Sequence, residues 1–174
     1  MKTFPLAPMS PLIRVLTYLF LLLPILFVVA TFLYGAPFVL AVSAALLVAL
    51  YAAVWLWWRP SRFDVGAGRL SVVFPLRRLD VPLADVVACR ALSATALRRE
   101  IGWGVRVGVG GLWGGFGRLL TKRRGSIRLF VSRTDRLVLV ERRSGRSLLL
   151  TPAECDGMVS SVQQATGAGA ANQR

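Results

Sequence analysis

Few residues in this chain can do covalent chemistry, and their types set the first limits. There is no histidine, so the commonest general base and the commonest metal ligand are both missing. Asp64, Asp80, Asp85 and Glu100 can meet only through the fold, because no spacing assembles them on one element as an acid–base set. Cys89 and Cys155 are too few and too isolated for a disulfide framework or a metal site, and are expected to be buried free thiols. Residues 102–117 hold eight glycines, the density at which a phosphate-cradling loop must be considered. A Walker loop needs Gly-Lys-Ser/Thr, and here Gly117 precedes Arg118-Leu119. A dinucleotide fingerprint fails at Trp113, where its third glycine would stand. No catalytic residue, cofactor or metal is therefore expected, and the chain does not read as an enzyme.

What remains is recognition of anions. Arg118, Lys122, Arg123 and Arg124 follow the glycine-rich run and Arg106 lies within it. Trp103, Trp113 and Phe116 are interleaved with them. Cations beside aromatics suit the depth of lipid headgroups. Two readings of 102–117 stay open. In one it is a twisted hairpin whose aromatics fill a core and whose glycines are bulges. In the other, Trp113 and Phe116 dip among headgroups while Arg118, Lys122, Arg123 and Arg124 hold phosphates.

The elements that must position these residues divide the chain in two. Residues 12–58 contain one charged residue, Arg14, whereas residues 59–174 carry 20 of the 22 cations and all 8 acids, a net +12. Nineteen of those 20 are Arg, the cation that forks onto phosphate or carboxylate. Such a face points to an acidic partner, although blocks of charge are also ordinary solvated surface.

The apolar runs 12–34 and 38–58 each exceed the ~20 residues that cross a hydrocarbon core. Only Gly35, Ala36 and Pro37 separate them, which forces an antiparallel helical hairpin. Trp55, Trp57 and Trp58 before Arg59 form an interfacial aromatic belt and a cationic stop. Lys2, Arg14, Arg59 and Arg62 flank one side and the turn is uncharged. By the positive-inside rule both termini and the larger part face the cytoplasm, on the inner membrane of the cell. A cleaved signal peptide fits poorly, since the first run is too long for a signal core and a second span follows at once.

From residue 59 to 165 the pattern changes to short strands with turn signals between them. Candidates are 62–65 and 69–74 around Gly66-Ala67-Gly68, then a strand broken near Pro82, then 126–132, 137–140 and 147–150. Along 126–132, Ile127, Leu129 and Val131 point one way, Arg128 and Phe130 the other. Thr151-Pro152-Ala153-Glu154 reads as a capping box. Behind it Cys155, Met158, Val159 and Val162 form one apolar stripe. Residues 1–11 are expected as a cytoplasmic segment and 166–174 as a flexible tail.

This ordered set resembles the bacterial pleckstrin-homology-like domains of membrane-anchored proteins. The residues that carry the resemblance are Arg59-Pro60, Arg69-Leu70, Leu83-Ala84-Asp85-Val86, the run Gly108 to Gly117, Ile127 to Ser132, and Leu150-Thr151-Pro152 with its helix. It implies an α+β membrane protein: a transmembrane hairpin, then an antiparallel β-sandwich or partial barrel capped by a C-terminal helix. The expected function is a non-catalytic, membrane-anchored binding or scaffold module. It would contact anionic headgroups, or an integral membrane protein complex as an accessory subunit. The alternative is a tethered regulatory module binding nucleic acid or an acidic soluble partner, and nucleic acid is disfavoured by the lack of any recognisable motif.

Overall fold

The computed structural model describes residues 1–34 and 37–171. The expected turn at Gly35-Ala36 and the tail end 172–174 lie outside the described residues. Helix α1 (Pro11–Tyr34) continues through Pro24, and α2 (Pro37–Ala53) ends in a π-helical turn, Val54–Trp58. They run antiparallel, and the Tyr51 hydroxyl donates to the Phe20 carbonyl at 2.6 Å. Both helices are long and apolar enough to cross a membrane, and only 6% and 17% of their most apolar windows are buried. Leu22, Phe32, Val39 and Leu46 stand among the exposed side chains. A core helix of a water-soluble protein would bury that surface.

The β part is built from two sheets. The first is β1 (Lys2–Pro5), β2 (Arg62–Gly66), β3 (Arg69–Val73) and β4 (Arg78–Pro82), paired in that order and antiparallel. A 3-10 turn at Leu83–Asp85 leads to β5 (Val86–Ser93) and helix α3 (Ala94–Ile101). Then come β6 (Gly104–Gly110), β7 (Gly115–Thr121), β8 (Gly125–Val131), β9 (Arg136–Arg142) and β10 (Leu148–Leu150). Their spatial order is β5-β9-β10-β8-β7-β6. Helix α4 (Cys155–Ala171) closes the chain.

The main core lies between the sheets. Phe63, Leu70, Val72 and Val81 meet Val138, Val140, Leu148 and Leu150, and α4 lays Met158 and Val162 on the same cluster. The second sheet is covered on its other face too, where Leu97 and Ile101 of α3 pack on Ile127, Leu129, Leu139 and Leu149. Burial on both faces explains why β9 reads Leu-Val-Leu-Val with no polar alternation.

Two expectations need correction, the purely antiparallel sheet and the helix cap at Thr151. The sheet is mixed and not purely antiparallel, because β10 pairs parallel with β8. The N-terminal segment is a strand, registered from Lys2↔Val65 to Pro5↔Arg62. Thr151 does not cap a helix. Its hydroxyl accepts the Ser132 N–H at 2.9 Å, the Ala153 N–H donates to the Pro5 carbonyl, and α4 starts only at Cys155. Helix α4 runs on to Ala171.

Candidate functional site: a basic cleft beside the apolar helices

The glycine-rich run folds as the β6–β7 hairpin, and its glycines serve close approach. Gly108 and Gly117 face each other across the pair. A Cβ on Gly108 would lie 2.2 Å from the Phe116 carbonyl oxygen, and one on Gly117 would lie 2.4 Å from that of Val107. The tip docks on the helices. Leu112 and Phe116 are buried with Tyr51 and Val54, and the Trp113 ring meets Trp55 edge-on at 4.9 Å between centroids. Thr17 of α1 fixes the contact: its hydroxyl lies 2.8 Å from the Ile13 carbonyl and 2.9 Å from that of Gly111, and accepts the Trp113 N–H at 2.9 Å.

A cleft of about 360 Å³ opens behind this tip, between the end of the second apolar helix and the β7–β8 face. Its walls include Trp58, Arg77, Arg118, Arg128 and Phe130. Register places Arg118 directly opposite Arg128, next to the facing pair Phe116 and Phe130. Arg77 enters from the β3–β4 turn. Its Nε donates to the Trp57 carbonyl at 2.7 Å and its guanidinium lies 4.3 Å over the Phe74 ring. Burial lowers the pKa of the Arg128 guanidinium, and the cations Arg146, Arg118, Arg142 and Arg77 lower it further.

Residues 62–166 match a family model described as a bacterial PH domain. The chain belongs to the bacterial PH domain family. No curated protein and no solved structure matches it. A PH-like domain is a binding module, and generally a non-catalytic one.

In this PH domain the expected contact residues do not converge. Phe116 is fully buried and Trp113 is packed between helix and hairpin, so the core-hairpin description fits Phe116 and the docked tip takes Trp113. Trp103 is 89% exposed at the other end of the hairpin. Lys122, Arg123 and Arg124 sit there too, in the β7–β8 turn: Lys122 N–H donates to the Trp103 carbonyl and Arg123 to that of Arg99. Strand β7 separates that turn from the docked tip by about 20 Å, at ~3.3 Å per residue. Arg124 is spent in a four-membered network with Arg90, Glu100 and Glu141. Arg106 projects from the opposite face to Arg118, and donates to the Val109 carbonyl at 3.3 Å. Trp55, Trp57 and Trp58 close the second apolar helix, and Arg59 stacks on Trp55 at 4.0 Å.

Sequence reasoning named Arg118 in the cleft and missed Arg77 and Arg128. A signal for Arg128 was present: it shares a strand face with buried Phe130, where a core strand would carry an apolar residue. Arg77 gave none, since only the packing of the two sheets brings it there.

Asp85, Cys89 and Cys155 do not line the cleft. Asp85 accepts the Ser144 hydroxyl at 2.7 Å, the Ser144 N–H at 2.6 Å and Arg142 Nε at 2.7 Å. These bonds, led by the Ser144 hydroxyl, hold its pKa at about 2. Cys89 and Cys155 are buried free thiols, and burial pushes Cys89 up to about 12. Among the described residues no group of three or more Cys, Asp or Glu is arranged to hold a metal.

Proposed function

We propose that this PH domain is a non-catalytic, membrane-anchored binding module whose α1–α2 hairpin spans the bilayer and whose β part works on the cytoplasmic face. The observation that carries the reading is the docked tip: Leu112 and Trp113 pack on helices whose remaining apolar surface is exposed. A domain on a free tether would not need that contact. Held this way, the β part lies against the headgroups, and its basic face meets anionic lipid. The charge asymmetry of Lys2, Arg14, Arg59 and Arg62 supports the inward orientation.

A second reading, as an accessory subunit of an integral membrane protein complex, draws on the exposed apolar residues Val105, Val107 and Leu120. Register puts all three on the same hairpin face as Arg118. The test of both begins with the anchor. The full chain should resist alkaline carbonate extraction from membranes, and an export-dependent reporter fused after Arg174 should stay inactive. Release by carbonate, or an active reporter, would overturn the anchor or its orientation.

A further inference from the structure

We propose that the cleft between Trp58, Arg77, Arg118 and Arg128 binds a phosphate group, with the three guanidiniums on its oxygens and the Trp58 ring beside its organic substituent. The site deepens the membrane reading above, on which its placement at headgroup level rests. Its chemistry stands on four observations.

The first is an unneutralised pair of like charges. Arg118 and Arg128 are direct cross-strand partners, an arrangement that destabilises a sheet. Among the described residues no carboxylate lies within ion-pair distance of Arg77, Arg118 or Arg128. Seven of the eight acids are committed elsewhere: Asp64 and Asp80 to Arg62, Arg69 and Arg78, Asp85 to Arg142, Glu100 and Glu141 to Arg90 and Arg124, Asp135 to Arg133, and Asp156 to Arg136, while Glu154 does not line the cleft.

The second is preorganisation. Arg77 is held by the Trp57 carbonyl and the Phe74 ring, so its fork is fixed before any ligand arrives. Arg128 is half-buried on strand β8. Bidentate arginine geometry is what phosphate oxygens fit best.

The third is space. Gly108 and Gly117 line the cleft beside these arginines and bring no side chain into it. The 360 Å³ they help to leave open is within the usual range for a small-ligand site.

The fourth is depth. Arg118 lies three residues from Gly115 at the docked tip, about 10 Å at strand rise. Trp58 ends the apolar helix and Arg77 bonds to its last turn. A tip packed among transmembrane helices places these groups near the phosphate layer.

An anionic glycerophospholipid and a soluble phosphate share the chemistry, and the test separates them. The thermal midpoint of the full chain in mild detergent is measured with phosphatidylglycerol, with diacylglycerol, which lacks phosphate, and with inorganic phosphate. Binding to the native state raises the midpoint. Phosphatidylglycerol should raise it and diacylglycerol should not. An equal rise with inorganic phosphate would assign the site to a soluble phosphate, and a rise with the lipid alone would assign it to the headgroup. The double variant Arg118→Gln/Arg128→Gln should lose at least tenfold in apparent affinity. Without ligand it should be as stable as the wild type or more so, since the charge repulsion is gone. Lys122→Gln/Arg123→Gln should keep the response. A phosphatidylglycerol response that survives in the Arg118/Arg128 variant, or a diacylglycerol response of the same size, would overturn the site. Failure of the anchor would show separately, as release of the wild-type chain by carbonate.

Discussion

The hydroxyl of Thr17, on the first apolar helix, accepts the backbone N–H of Trp113, at the tip of the β6–β7 hairpin, at 2.9 Å. Thr17 is 1% exposed, so its hydroxyl supplies a shielded acceptor for that N–H, and removing it takes the partner away. Two residues 96 positions apart thus fasten the β part to the helices.

Replacing Thr17 by Val keeps the shape and orphans the Trp113 N–H. The expected cost is about 1–3 kcal/mol, the usual penalty for a buried donor without a partner. Thr17→Ser restores the acceptor and should recover most of it. Thermal unfolding of the full chain in detergent reads both. Equal stability of all three proteins would mean that the tip is held by its aromatics alone.

Gly108 should tolerate no side chain. An added Cβ meets the Phe116 carbonyl oxygen at 2.2 Å on a backbone with φ +144°. Gly108→Ala should cost roughly 3 kcal/mol or more, because a strand must move as well as strain. Gly68→Ala is the contrast: φ is +71° with nothing within 4 Å, so only the left-handed penalty of about 1 kcal/mol applies. Denaturant midpoints that do not separate the two would contradict the close β6–β7 approach.

Acid should expose the role of Asp85. Its hydrogen bonds to Ser144 and Arg142 lower its pKa from the ordinary 3.8 to about 2. The folded state therefore binds this proton less readily than the unfolded chain. The resulting stabilisation is complete above the unfolded value and is lost as pH falls from about 4 towards 2. Asp85→Asn removes it. The stability difference between wild type and variant should shrink across that window, and a constant difference would contradict the assignment.

The sequence showed some of this fold plainly and hid the rest for physical reasons. The apolar helices announce themselves by length, and β8 by its alternation of Ile127, Leu129 and Val131 with Arg128 and Phe130. Met158 and Val162 lie on the sheet as their helical spacing requires. Strand β1 was hidden because Lys2–Pro5 is short, includes a proline and takes its partner some sixty residues away. Helix α3 shows only Leu97 and Ile101 as buried anchors among arginines. Thr151 carries the local signature of a helix cap, but a tertiary contact with Ser132 wins its hydroxyl. The cleft is the least legible part. Arg77 and Arg128 are far apart in the chain, and only the packing of two sheets beside a helix end joins them.

The most direct test of the docked, membrane-anchored arrangement is the depth of Trp113. A variant that keeps Trp113 and carries Phe at Trp55, Trp57, Trp58 and Trp103 is reconstituted into vesicles containing lipids brominated near the headgroup or near the acyl end. The arrangement predicts that shallow bromines quench Trp113 fluorescence more than deep ones, and that aqueous iodide quenches it little. Strong quenching by iodide, with no response to either brominated lipid, would contradict it.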